Sequence, residues 1–377
     1  MDIKFPVINF SLFEFTRRLM SSGGISPKGV FLILVYYLQI IPTLPLAFLQ
    51  FLIYRQRITK TCILKDPVFI LGHYRSGTSY LQKLLTSDKR FGCLTNYDTL
   101  FPNTNLLFGK RMQPVFQSLI KIFKIKNPFF NNSVLLLSDV AEEDDFLMNK
   151  GSAYSAYWGL IFPKRWREWL NHSLQFVNRQ YYDGWERDYL FTLKYATFKN
   201  KGKALVLKSP PNTARIKVLL QLFPKAKFIY LYRNPYHLYF SIRSMWKKTI
   251  LRYYSVQKIS DKELDEIIFE HFIYLTEQYE KEKLHIPDGN LIEISYEELK
   301  EDSFNTLRII YSKINLPDFE LTANELLLKI ESESDYQNFQ YQFGDNSFKK
   351  IEERWGRYIN QWNYKSPVGE TTEAGSQ

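Results

Sequence analysis

The sequence predicts a three-layer α/β domain around a central parallel sheet, preceded by an apolar helical segment. Three observations carry this. Val68–Leu71, Ala204–Leu207 and Ala226–Tyr232 are short, largely apolar runs, the pattern of strands buried on both faces of a parallel sheet. Helical repeats follow them: Tyr80, Leu81, Leu84 and Leu85 after the first run, and Thr213–Leu222 between the other two. Strand, helix, strand at this spacing is a parallel crossover, whose ligands gather at the carboxyl ends of the strands. The third observation is Gly29–Tyr54, 26 residues without a charge.

In chain order, residues 1–28 set Phe5, Val7, Ile8, Phe10, Leu12, Phe13 and Phe15 before Arg17 and Arg18, an amphipathic start without the small-residue cleavage site of a secretory signal. Gly29–Tyr54 is long enough to span a bilayer, but Pro42 and Pro45 divide it into pieces too short to cross separately. Lys4, Arg17, Arg18 and Lys28 flank one side and Arg55, Arg57, Lys60 and Lys65 the other, so charge selects no orientation. A kinked or re-entrant element returning to the same face fits this symmetry. The alternative is a buried helical hairpin in a soluble protein. The predicted organisation is therefore 1–60 as an apolar, membrane-associated segment, 61–364 as the main domain with a lid and acceptor-pocket region at 109–200, and 365–377 as a polar tail.

The stretch Pro67–Thr86 holds the strongest local signal. A strand, the loop Gly72–Ser79 and a helix form an anion cradle, since free N–H groups at the helix start point at a negative charge. Gly-x4-Gly followed by Thr-Ser has the spacing of a nucleotide-binding P-loop, which makes the fold class P-loop-like. Thr78 stands where an ATPase needs its Lys, and the nearest cation is Arg75, inside the loop. Further on, Phe91–Tyr97 is expected to be the second strand, Leu291–Tyr296 a later one, and Glu297–Lys313 a helix. Leu264, Ile267, Ile268, His271 and Leu275 mark a long amphipathic helix, with His271 a core residue. Arg75, Lys208 and Arg233 each sit just past a strand end, and the topology brings them to one rim. Arg354 and Arg357 are further candidates for reaching a phosphate.

Composition narrows the classes. The chain of 377 residues is 45% hydrophobic and 17% aromatic, with net charge +11, which fits a globular protein with anionic partners. No zinc-finger, heptad or RNP-like pattern points to nucleic acid. Two cysteines, Cys62 and Cys93, do not make a disulfide framework, and the five histidines lack metal-ligand spacing, so no metal is expected.

Two motifs carry a family resemblance. GHYRSGTSYLQKLL (Gly72–Leu85) resembles the 5′-phosphosulfate loop of sulfotransferases that use 3′-phosphoadenosine 5′-phosphosulfate (PAPS). FIYLYRNPYHLYFSIRSM (Phe228–Met245) is similar to the second nucleotide motif of that family. The likeness is to the bacterial group with a GH-x-RSGT loop and covers most of residues 66–250. AEEDDFLM resembles its P-x-E-D-E-F pattern, with Ala141 for Pro and Asp145 for Glu, and Asn212 stands where many members have His. The resemblance implies that Arg75, Ser76, Gly77, Thr78 and Ser79 hold the 5′-phosphosulfate and that Arg233 and Ser241 hold the 3′-phosphate.

The expected function is transfer of a sulfuryl group from PAPS to a hydroxyl-bearing small molecule or lipid, at the cytoplasmic face of a membrane. Arg75 and Lys208 are the catalytic cations, and Glu143 or Asp98 the general base. The alternative for both acids is structural, with His73 next in line as base. Rival readings are a P-loop kinase using ATP and a membrane-attached nucleotide-binding protein without catalysis. A Golgi-lumenal enzyme with one span is a topology rival, since Asn131-Asn132-Ser133 and Asn171-His172-Ser173 are glycosylation sequons. The sequence leaves the acceptor and the oligomeric state open.

Overall fold

The computed structural model describes residues 12–127, 134–333 and 345–366. The sequon at Asn131, the first eleven residues and the end of the polar tail lie outside them. Five parallel strands, β1 (Val68–Leu71), β2 (Phe91–Gly92), β3 (Ala204–Lys208), β4 (Lys227–Tyr232) and β5 (Leu291–Ser295), form one sheet in the order β2-β3-β1-β4-β5. β1 lies centrally, with Ile70 beside Lys208 of β3 and Leu71 beside Tyr230 of β4.

The apolar runs are buried on both faces because helices cover both. Phe69, Leu71, Leu205, Leu207, Phe228 and Tyr230 point to one face, packed under helix Arg179–Lys199 through Trp185, Tyr189 and Leu193. Val68, Ile70, Val206, Ile229 and Leu231 alternate to the other, under helices Thr78–Leu85 and Ser303–Lys313. This is the three-layer arrangement expected of a parallel sheet. A further cluster joins helices Pro235–Met245, Asp261–Glu282 and Asp345–Gln361 through Tyr239, Phe269 and Trp355.

Three sequence expectations change. The second strand ends at Gly92, and Asn96–Leu100 is a helix. Thr95 and Asp98 pair at its start, the Asp98 carboxylate accepting the Thr95 N–H at 2.8 Å and the Thr95 hydroxyl at 2.7 Å, so a backbone group that a strand would have paired elsewhere is satisfied here. Glu297–Lys313 is two helices, Tyr296–Glu301 and Ser303–Lys313, separated at Asp302, whose side chain caps the second. The apolar segment does not turn back on itself. Pro27–Ile40 and Leu44–Thr59 continue through a single 3₁₀ turn, Ile41–Thr43, with right-handed helical dihedrals at the junctions. Pro42 and Pro45 are the second residues of the 3₁₀ turn and of the helix after it, within the first turn, where a backbone N–H has no intrahelical partner to lose. The result is a 33-residue helix. Leu32, Tyr36 and Ile40 dock its first half against Tyr157 and Ile161, and Tyr54 and Ile58 dock its second half under helix Arg179–Lys199. Its outer side exposes Phe31, Leu34, Leu38, Phe48 and Leu52.

Candidate active site

The loop after β1 is held from three sides. Ser76 donates its hydroxyl to the His73 carbonyl at 2.7 Å, closing the turn. Arg75 sits at φ 69, and Gly77 caps helix Thr78–Leu85 at φ 94. A Cβ on Gly77 would lie 2.3 Å from the Tyr296 ring, so the ring and the backbone exclude any other residue there. Arg75 Nε donates to Ser241 Oγ at 3.0 Å, and Arg233 Nη1 donates to the Arg75 carbonyl at 2.9 Å. The Arg233 guanidinium lies 4.3 Å from the centre of the Tyr296 ring, and its buried Nε has no partner among the described residues. Arg75, Arg233 and Ser241, from three separate segments, thus meet past the ends of β1 and β4.

The acidic run divides by helical phase. Glu142 precedes helix Glu143–Lys150 as its N-cap. Glu143 and Asp144 turn inward and are fully enclosed. Asp144 pairs with Arg215 at 2.7 Å and accepts from Ser209 Oγ and the Ala156 N–H. Glu143 accepts the Lys208 N–H at 3.1 Å and the Asn212 amide at 3.3 Å, and burial pushes its carboxyl up to about 8. Glu142 and Asp145, three residues apart on one helix face, point into a cavity instead. Glu142 is ion-paired with Lys208. Asp145 accepts no hydrogen bond among the described residues; burial first, then repulsion from Glu142, holds its carboxyl well above the usual range.

That cavity, about 260 Å³, has two unlike ends. Arg75, Thr78, Ser79, Lys208 and Arg233 make one end cationic and rich in hydrogen-bond donors. Leu100, Leu135, Met148, Tyr157, Ile161 and Tyr254 make the other apolar.

A family model described as the sulfotransferase family matches residues 67–320, which include the loop after β1, the acidic run, Lys208 and Arg233. The chain belongs to the sulfotransferase family. It is 29% identical over 318 residues to the omega-hydroxy-beta-dihydromenaquinone-9 sulfotransferase Stf3 of Mycobacterium bovis, covering 84% of this chain and 79% of that protein. The Mycobacterium tuberculosis Stf3 matches to the same extent. In fold, it is similar to sulfotransferase STF1 of Mycobacterium tuberculosis (TM-score 0.64, 16% identity, 90% of this chain and 88% of that one). It is similar also to STF9 of Mycobacterium avium (TM-score 0.64, 17% identity, 95% and 88%).

Of the residues singled out from the sequence of this sulfotransferase, Arg75, Gly77, Thr78, Ser79, Lys208 and Arg233 line the cavity. Ser76 and Ser241 stand behind them as supports. Asp98 and Glu143 do not reach it. Asp98 is fully enclosed as a helix cap, ion-paired with Lys199 and hydrogen-bonded by Asn105 and the Tyr195 hydroxyl. His73 faces away, 3.2 Å from His271, and burial lowers both imidazoles out of the range of a useful base, His271 to about 4. Arg354 pairs with Glu266 at 2.9 Å, and neither it nor Arg357 lines the cavity. Glu142 and Asp145 were missed. The i, i+3 relation within the run was visible, but its phase depends on the helix beginning at Glu143.

Proposed function

We propose that this sulfotransferase moves the sulfuryl group of PAPS to a hydroxyl on a lipid or lipid-linked acceptor at a membrane surface. One observation supports it above others: a single cavity joins a cationic nucleotide cradle to an apolar wall of Leu100, Leu135, Met148, Tyr157, Ile161 and Tyr254. The acceptor class is supported by Stf3, named for a hydroxylated dihydromenaquinone. The donor fits the residues present. The buried, unpartnered Arg233 Nε is a guanidinium donor awaiting an anion, and a phosphate beside Ser241 would supply it.

PAPS, when bound, supplies an activated sulfuryl group on a good leaving phosphate. The acceptor oxygen forms the new S–O bond as the bond to the phosphate oxygen breaks, and adenosine 3′,5′-bisphosphate departs. Arg75, the loop N–H groups and Lys208 stabilise the charge that gathers on the departing oxygen. Glu142 holds the Lys208 ammonium by an ion pair at the cavity until the donor competes for it. Asp145, which lines the cavity and accepts no hydrogen bond among the described residues, takes the acceptor proton. Exposed Phe31, Leu34, Leu38, Phe48 and Leu52 on the long helix rest in the bilayer interface. Both halves of that helix dock on the domain, which favours an in-plane position over a crossing.

The test is to incubate the purified full chain with PAPS and a membrane lipid extract, and to search for sulfated products by mass spectrometry. Sulfated lipid appearing only with PAPS is expected. Phosphorylated lipid from ATP, or no product from any hydroxyl-bearing extract, would refute the proposal.

A further inference from the structure

Beside the long helix lies a second exposed apolar surface that the reaction does not use. Helix Asn105–Ile122 has a non-helical Gly109 (φ 57), whose Cβ position has no described residue within 4 Å, which divides a short first turn from a longer arm. On the arm, Val115, Leu119, Ile122 and Phe123 are exposed by 43 to 70% along one stripe. Its inner side packs Phe116 and Ile120 behind Leu100 and Leu135, two side chains of the apolar cavity wall. Gln117 fastens it there, donating to the Leu135 carbonyl at 2.9 Å and accepting from the Leu137 N–H at 2.8 Å. Residues 105–127 hold five basic residues and no acid, among them the exposed Arg111, Lys121 and Lys124.

The first turn is tied to the long helix. Thr104, its N-cap, makes no side-chain capping bond. Gln50, enclosed on the inner side of the long helix, takes that role: its carbonyl accepts the Leu106 N–H at 2.8 Å, and its amide donates to the Pro102 carbonyl at 2.9 Å. The long helix itself carries Lys28, Arg55 and Arg57 and no acid. The two apolar surfaces are thus joined through one residue and share one charge sign, complementary to anionic headgroups.

We infer that residues 110–123 form a lid that docks its outer stripe on an anionic bilayer beside the long helix, tethered by Gln50 and hinged at Gly109, so that membrane contact controls access to the apolar half of the cavity. The idea rests on the sulfotransferase reading for its purpose, but its test does not.

An environment-sensitive fluorophore is placed on Ile122→Cys, with Lys203→Cys before β3 as control, in a full chain carrying Cys62→Ser and Cys93→Ala. Vesicles of phosphatidylcholine alone, or of equal parts phosphatidylcholine and phosphatidylglycerol, are added. With mixed vesicles the Ile122 probe should shift to the blue and be quenched by brominated acyl chains, while the Lys203 probe stays in water. With phosphatidylcholine alone the response should fall several-fold. Gln50→Leu should weaken the Ile122 response several-fold while vesicle flotation and adenosine 3′,5′-bisphosphate affinity stay unchanged. A chain that floats with its Ile122 probe still in water would overturn the lid, and an undiminished response in Gln50→Leu would overturn the tether. A blue shift that grows with protein concentration without vesicles would make a second copy the occupant and overturn the bilayer. Failure of the unsubstituted chain to bind the bisphosphate would instead remove the sulfotransferase reading, leaving the vesicle result standing.

Discussion

Arg233→Ala separates the two phosphate sites of the nucleotide. The side chain has two roles: Nη1 holds the Arg75 carbonyl at 2.9 Å, and the buried Nε, which has no partner among the described residues, is proposed to meet the 3′-phosphate beside Ser241. Loss of the first affects any ligand of the loop, at about 1 kcal/mol, roughly a fivefold weakening. Loss of the second affects only ligands with a 3′-phosphate. A hydrogen bond to a charged group is worth about 1.5–3 kcal/mol, so a further ~10–150-fold should go. Calorimetric titration with adenosine 3′,5′-bisphosphate and with adenosine 5′-monophosphate reads both, with circular dichroism confirming the fold. The bisphosphate should lose far more than the monophosphate, and Arg233→Lys should fall between, keeping the charge but not the fork. Equal losses for both nucleotides would refute the assignment of Arg233 to the 3′-phosphate.

Other expectations follow from the same geometry. Arg75→Ala should lower turnover by ~10²-fold or more, the scale of losing one donor to a developing oxyanion, checked by single-turnover kinetics. Asp145→Asn should cost ~10²–10⁴ in rate with bisphosphate affinity kept, whereas Glu143→Gln should leave the rate near normal; the reverse order would return the base to Glu143. Glu143 binds its proton up to about pH 8 in the fold, against about 4.5 unfolded, so its contribution to stability is full at low pH and lost as pH rises towards 8. Relative to the parent, Glu143→Gln should therefore gain stability as pH rises between those limits, by about 5 kcal/mol at most at ~1.4 per pKa unit, read as a pH-dependent difference in Tm. Deleting residues before Lys60 should uncover Tyr157 and Ile161 and cut acceptor turnover more than bisphosphate binding. Parallel losses would make the long helix a general stabiliser.

What was legible in the sequence was what is local. Gly72–Leu85 names its own conformation, because a glycine at φ 94 and a helix start must occur together within a few residues. The strands were legible because burial on both faces leaves a continuous apolar run. The acidic run was not, since four adjacent acids carry no phase and only tertiary contacts, Arg215 on one side and the cavity on the other, assign them. Asp98 takes the capping role that was the alternative to a base, and Cys93–Tyr97 reads as strand although Thr95-x-x-Asp98 has capping-box spacing, because the run Phe91–Tyr97 resembles a short strand. Pro42 and Pro45 suggested a break for a related reason: a proline's cost depends on whether its turn has just begun, which local sequence does not show.

The two ends of the cavity are built from different materials, and this bears on how such a site evolves. The donor end stands on strand tips and on enclosed polar pairs, Asp144 with Arg215 and Glu143 with the Lys208 N–H. Breaking such a pair leaves an unpaired buried group, at a cost of roughly 3–5 kcal/mol when that group is charged, so this end resists change. The apolar wall stands on Leu100, Leu135, Tyr157 and Ile161, carried by short helices and loops that lean on helix Asn105–Ile122 and the long helix. Exchanging one apolar wall residue for another of similar volume usually costs less than about 1.5 kcal/mol. Acceptor choice can therefore drift while the cradle stays fixed, and substitutions that exchange one hydrophobic acceptor for another are to be sought in the walls, the lid and the long helix.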